Sequence, residues 1–72
     1  MESAIEIGSL WERDGKTYMV EQADQPNRRF TVKDADAGNW SAAVAYREVG
    51  GEGGPIRVRS ESDFRAKFSP AA

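Results

Sequence analysis

The dipeptide Asp14-Gly15 lies between two short runs of alternating residues and constrains the chain to turn back on itself at this point. Asp-Gly is a strong signal for a two-residue β-turn, because both central positions of that turn need a positive φ, which glycine and aspartate tolerate. After the turn, Lys16 to Gln22 alternates with a period of two, as a half-buried strand does. The stretch therefore predicts two antiparallel strands joined by a tight turn.

Three further segments show the same period of two between turn-forming residues. Arg28 to Asp34 predicts a strand with Phe30 and Val32 inward. Trp40 to Arg47 predicts the next strand, because a turn precedes it and it contains aromatic and β-branched residues, although its alanines also suit a helix. Ile56 to Arg59 predicts a fifth strand with its aliphatic side chains inward and its arginines outward.

The two ends of the chain carry weaker signals. Ile5 to Ile7 alternates and stops at Gly8, and Leu10 to Arg13 follows, which predicts that the first strand of the hairpin begins at Ile5 and has a kink at the glycine. Ser60 predicts the start of a short helix, since its hydroxyl can cap a backbone N–H group. Phe64 and Phe68 then lie on one face of that helix and are expected to close the open end of the sheet. Together the strands and the helix predict a core of Tyr18, Val20, Phe30, Val32, Val44, Ile56, Val58 and Phe64.

Five short strands and one short C-terminal helix predict a mainly β fold, namely a strongly bent, five-stranded, SH3-like small barrel. A flat sheet of this size would leave one face and both edges uncovered. We expect a single domain over residues 1–72, with residues 1–4 and 69–72 frayed and a flexible glycine loop over residues 49–55. The other interpretation of these glycines is a phosphate-binding loop, but the lysine and the helix that such loops need are missing.

Composition excludes most kinds of catalytic site. The 72 residues include neither cysteine nor histidine, which removes disulfides, thiolate ligands and the usual proton shuttle at neutral pH. We therefore expect no enzyme activity, no metal and no cofactor. The formal charge of −2, from 12 acidic and 10 basic residues, does not suggest a dedicated nucleic-acid binder. No apolar run is long enough to span a membrane and nothing indicates secretion, so we expect a cytoplasmic protein.

Several motifs of this chain resemble those of short, uncharacterised SH3-like small-barrel domains of bacteria and phages. They are Gly8-x-x-Trp11, Asp14-Gly15-Lys16-x-Tyr18-x-Val20, Val44-x-Tyr46, and Ile56-Arg57-Val58-Arg59 followed by Phe64-x-x-x-Phe68. The resemblance spans nearly the whole chain and implies an SH3-like barrel of phage or mobile-element origin. Those domains usually carry histidine in the first strand and proline after the last arginine, where this chain has Glu12 or Arg13 and Ser60. The resemblance implies no particular activity.

The candidate site residues are the side chains left outside the predicted core. Inward packing of their apolar neighbours places Arg29, Lys33, Arg57 and Arg59 outside, where arginine suits both phosphate and carboxylate groups. The alternative is a solvated basic face balanced by acidic residues on neighbouring strands. Trp11 is the fifth candidate, because an inward Leu10 would turn it outward, and its alternative role is in the core.

These features favour a small, non-catalytic protein-interaction module, such as an inhibitor or adaptor encoded by a phage or mobile element. Its expected partner is a host or phage protein. The alternative function is a nucleic-acid-binding small barrel that uses the outward basic face. We also expect a homodimer or higher oligomer, since exposed strand edges and large aromatic side chains gain most by pairing.

Overall fold

The computed structural model describes residues 5–33, 38–50 and 54–71 of the chain. These residues form β1 (Leu10–Arg13), β2 (Lys16–Ala23), β3 (Thr31–Lys33), β4 (Trp40–Glu48), β5 (Arg57–Ser60), α1 (Glu61–Lys67) and β6 (Ser69–Pro70). The strands build one antiparallel sheet in the order β3-β4-β2-β1-β6, and β5 also pairs with β4. The protein is therefore mainly β with one short helix, as predicted.

The sheet has six strands rather than the predicted five. Ser69 and Pro70 pair with Glu12 and Trp11 of β1, so the prediction of a frayed end is wrong for these two residues. Among the described strands, no pairing joins β3 to β6, and the sheet is open. The predicted frayed segment 1–4 and positions 51–53 of the predicted glycine loop lie outside the described residues.

The hairpin between β1 and β2 is confirmed. Asp14 and Gly15 have φ values of 53° and 77°, and Arg13 pairs directly with Lys16 across the turn. The prediction that the first strand begins at Ile5 is wrong, because the chain turns at Ile7 and Gly8 and β1 begins only at Leu10. Gly8 has a φ of 89°, and its N–H group donates to the Val20 carbonyl at 2.8 Å, so the turn is tied to β2.

A closed loop replaces the first half of the strand predicted over residues 28–34. The Asp24 carboxylate accepts the Phe30 N–H group at 2.7 Å and the Arg29 Nε–H group at 2.8 Å. Within the loop, Gln25 and Arg28 exchange backbone hydrogen bonds of 3.1 and 3.2 Å around the Pro-Asn turn. The local carboxylate thus satisfies a backbone N–H group that a longer strand would have paired. Of the described residues in the predicted strand, Thr31–Lys33 form β3, and Asp34 lies outside the described residues.

The core lies between one face of the sheet and α1. Its buried members are Ile5, Trp11, Val20, Ala23, Val44, Tyr46, Phe64 and Phe68, and Tyr18 is half-buried against them. The helix begins as predicted, with the Ser60 hydroxyl accepting the Asp63 N–H group at 3.3 Å. Phe64 and Phe68 stack on one face of the helix end with ring centroids 4.4 Å apart. Val20, Val44 and Phe64 are therefore confirmed as core residues.

The predicted orientation of β5 is wrong. Ile56 and Val58 are 59% and 49% exposed, because the register pairs Arg59 with Val44 and Arg57 with Tyr46. Cross-strand partners share a face, so the two arginines lie on the core side of the sheet and Val58 lies on the other. An alternating sequence is compatible with either face being buried, and here the arginines lie on the same face as Tyr46.

Two other predicted core residues are only half-buried. Phe30 lies at the end of the closed loop, and Val32 lies in the three-residue strand β3. On the face of the sheet opposite the core, Ala43 and Ala45 are buried beside neighbouring strands but do not belong to the core cluster. In the described part of the chain, no helix has the length and apolar character needed to cross a membrane.

Candidate functional site

A cleft of about 230 Å³ opens beside the core, where β2, β4, β5 and the end of α1 come together. Its floor is aromatic. Tyr18 packs edge-on against Tyr46 and Phe68, with ring centroids 5.7 and 5.1 Å away, and Tyr46 lies 5.0 Å from Phe68. Tyr46 and Phe68 are only 2% and 4% exposed, so only Tyr18 offers part of a ring to a ligand.

The walls of the cleft are strongly basic. Five basic residues and one acidic residue line it, namely Arg13, Lys16, Arg47, Arg57, Arg59 and Glu48. The chain as a whole carries a formal charge of −2, so this concentration of positive charge is local. A low-dielectric floor beneath clustered cations strengthens their attraction for an anion.

Arg59 is held in place by two hydrogen bonds. Its Nε–H group donates to the Tyr46 hydroxyl at 2.8 Å, and its Nη1 atom donates to Asp63 at 2.6 Å. The hydrogen bond from Arg59 holds the pKa of the Asp63 carboxyl below its ordinary value of 3.8, and the nearby Lys67 acts in the same direction. Arg59 therefore joins β5 to β4 and to α1 and forms a fixed wall of the cleft.

Two other cationic side chains of the cleft also have partners within the chain. The Arg13 guanidinium lies 5.5 Å from the centroid of the Phe68 ring, and its Nε atom is 3.6 Å from the Asp14 carboxylate. Arg47 donates to Glu21, which lies at the irregularity in the register between β2 and β4. These contacts orient both arginines and reduce the positive charge that they offer to a ligand.

Lys16 and Arg57 differ from the other three cations. Within residues 5–33, 38–50 and 54–71, no ion pair or side-chain hydrogen bond involves either of them. Lys16 begins β2 and Arg57 begins β5, and both side chains are exposed at the wall of the cleft. Their charge is available to an incoming anion without breaking a contact to another described residue.

The structure brings together only two of the five residues predicted for the site. Arg57 and Arg59 line the cleft, whereas Arg29 and Lys33 do not. Arg29 donates to Asp24, and this hydrogen bond, together with that from the Phe30 N–H group, holds the pKa of Asp24 below its ordinary value of 3.8. Lys33 is exposed on β3 opposite Trp40.

The prediction that Trp11 is partly exposed is wrong. Trp11 is 3% exposed, its ring packs edge-on against Phe64 at 5.0 Å, and its Nε1–H group donates to the Ser9 hydroxyl at 3.0 Å. Leu10 takes the outer position instead, because Trp11 pairs with Tyr18 on the core face. Trp11 therefore belongs to the core, which was the alternative role expected for it from the sequence.

Sequence reasoning missed Arg13, Lys16 and Arg47 as cleft residues. For two of them a signal was present, since Arg13 and Lys16 flank the Asp14-Gly15 turn and share the face of Trp11 and Tyr18. Arg47 had no comparable signal, because its place depends on the pairing of β4 with β2.

The chemistry that these residues support is the binding of anionic groups. In the described part of the chain, no cluster of three or more acidic side chains is arranged to hold a metal ion. Comparisons of the chain with models of protein families, with curated proteins and with solved structures returned no match.

Proposed function

We propose that this chain is a small, non-catalytic protein-interaction module whose basic cleft binds an acidic segment of a partner protein. The observation that carries the proposal is the position of Lys16 and Arg57, two cations without an ion pair among the described residues, at the wall of a cleft with an aromatic floor. Carboxylates accept charge-assisted hydrogen bonds from both side-chain types, and a partly desolvated site strengthens them.

The cleft suits an acidic peptide better than a nucleic acid. Sequence-tolerant binding of single strands relies on bases that stack on exposed aromatic rings. Here Tyr46 and Phe68 are buried, and only Tyr18 is partly accessible. The net charge of −2 also opposes the long-range attraction that nucleic-acid binders use.

The SH3-like fold and the phage or mobile-element origin, which the resemblance to small-barrel domains implies, are part of the same proposal. If the chain is related to those SH3-like domains and comes from a phage or mobile element, its partner is a protein of the host cytoplasm. The chain then acts as an inhibitor or adaptor by occupying an acidic segment of that protein.

The test compares three fluorescently labelled probes by anisotropy: a peptide of eight glutamates, a peptide of eight serines and an oligonucleotide of eight thymidines. We expect the glutamate peptide to bind and the serine peptide not to bind. The double variant Lys16→Gln/Arg57→Gln should weaken binding of the glutamate peptide more than tenfold. The matched control is Arg28→Gln, since Arg28 is exposed and outside the cleft lining.

Equal affinity of the parent and the double variant for the glutamate peptide would overturn the proposal, as would the absence of binding. Tighter binding of the oligonucleotide, with an affinity that falls steeply with salt and is lost in the double variant, would assign the cleft to nucleic acid instead.

A further inference from the structure

Strand β5 has one free side in the described part of the structure. It pairs with β4 through Ala43 to Tyr46 and with no other described strand. The free side of an edge strand presents backbone N–H and C=O groups that another extended segment can pair with. Pro55, which has no N–H group, precedes this edge, and α1 begins at Glu61, so about five residues from Ile56 to Ser60 are open to pairing.

The two faces of this edge have different chemistry. Arg57 and Arg59 lie on the core face and line the basic cleft. Val58 lies on the opposite face, directly across from Ala45, and is half exposed. A segment added beside β5 would therefore meet cations on one face and an apolar side chain on the other, because side chains alternate between faces along a strand.

We propose that the acidic segment of the partner binds as an additional β-strand along β5, with carboxylates at alternate positions facing the cleft and apolar side chains between them facing Val58. This proposal rests on the proposed function, since it takes the same cleft as the anion site. Backbone pairing supplies an affinity that does not depend on sequence, and the alternating side chains supply the specificity.

Charge favours an acidic partner over a second copy of the chain at this edge. Antiparallel pairing of two β5 strands about Val58 would place Arg57 of each copy directly across from Arg59 of the other. Like charges in direct cross-strand positions destabilise the pairing. A carboxylate in the same position instead forms a cross-strand ion pair, which a site partly screened from solvent strengthens.

The test uses two labelled seven-residue peptides of equal composition, Glu-Val-Glu-Val-Glu-Val-Glu and Glu-Glu-Glu-Glu-Val-Val-Val. We expect the alternating peptide to bind at least tenfold more tightly than the block peptide. Two further versions of the alternating peptide are N-methylated on the backbone. One carries the methyl groups on all three valines, and the other carries them on the glutamates at positions three, five and seven. Alternate N–H groups point to opposite sides of a strand, so one version should lose binding more than tenfold and the other should keep it.

The protein side of the test is hydrogen exchange of the backbone amides with and without the alternating peptide. We expect the backbone amides of β5 to become protected from exchange on binding. We also expect the Arg57→Gln variant to bind the alternating peptide more than fivefold less tightly than the parent. Arg28→Gln is again the matched control. Light scattering at low micromolar concentration, below the range in which the chain is expected to self-associate, should give the mass of the 7.9 kDa monomer before peptide is added.

The outcomes separate the two proposals. If both peptides bind equally and both N-methylated versions bind as well as the parent peptide, strand addition is overturned while acidic binding in the cleft stands. If neither these peptides nor the octaglutamate probe binds, both proposals fail together. Amides of β5 that are protected in a peptide-free dimer would show that a second copy occupies this edge, which would also overturn the inference.

Discussion

Arg59 and Tyr46 are joined by a 2.8 Å hydrogen bond from the arginine Nε–H group to the tyrosine hydroxyl. Tyr46 belongs to the buried core and Arg59 to the wall of the basic cleft, so this bond connects the packing of the fold to the candidate site. The same arginine also donates to Asp63 in the first turn of α1. Arg59 therefore has a structural role that its neighbour Arg57 lacks.

We expect Arg59→Gln to lower the free energy of unfolding by about 1 kcal/mol, because it removes two hydrogen bonds that are partly screened from solvent. Arg57→Gln should change it by less than about 0.5 kcal/mol, the usual range for a surface substitution. Urea denaturation followed by circular dichroism measures both variants. Equal stability of the two variants would contradict the structural role of Arg59.

Phe64→Ala should be far more damaging than Phe30→Ala. Phe64 is fully buried and contacts Trp11, Tyr46 and Phe68, so its removal should cost about 3–5 kcal/mol and leave the domain largely unfolded. Phe30 is half-buried, and its loss should leave a cooperative transition at a lower temperature. Thermal melts measure the difference, with Arg28→Gln as the exposed control. A more stable Phe64→Ala than Phe30→Ala would reject this core.

Acid should weaken the closed loop at residues 24–30. Arg29 and the Phe30 N–H group hold the pKa of Asp24 below its ordinary value of 3.8, so the charged carboxylate is favoured in the folded state. This contribution to stability is fully present above the pKa of the unfolded chain and is lost as the pH falls through the lower, folded pKa. Carboxyl NMR titration should place Asp24 below 3.8, and Arg29→Gln should raise its pKa. A titration midpoint at or above 3.8 in the parent would contradict the loop geometry.

Self-association remains a prediction. Trp40 is 68% exposed, and Leu10, Ile7 and Ile56 are also large exposed apolar residues. We expect light scattering at high micromolar concentration to give a mass above 7.9 kDa that increases with concentration. Trp40→Ser should shift the association to higher concentration, and Ser62→Ala, on the exposed side of α1, is the control. A monomer mass at every concentration would reject the prediction.

Local features of the sequence were sufficient to predict those elements whose backbone conformation depends on a few neighbouring residues. The Asp14-Gly15 turn and the Ser60 cap formed as predicted, and the strand predicted over Trp40–Arg47 formed and extends to Glu48, because each depends on neighbours in the chain. The shortened β3 shows the limit of this reasoning. The Asp24 carboxylate accepts the N–H group of Phe30, six residues later, and no periodic pattern in the sequence predicts that contact.

The amino-acid sequence by itself determined a mainly β chain with tight turns, one short helix and no histidine or cysteine for catalysis. Only the tertiary structure decided which of the two alternating sets of side chains in Ile56 to Arg59 faces the core. Alternation defines two faces of a strand but not which one is buried, and that choice depends on the register with β4, where Tyr46 accepts a hydrogen bond from Arg59. Together with the pairing of β2 and β4, the same register placed Arg57 and Lys16 in the lining of one cleft, although they are about 40 positions apart in the chain and no local pattern relates them.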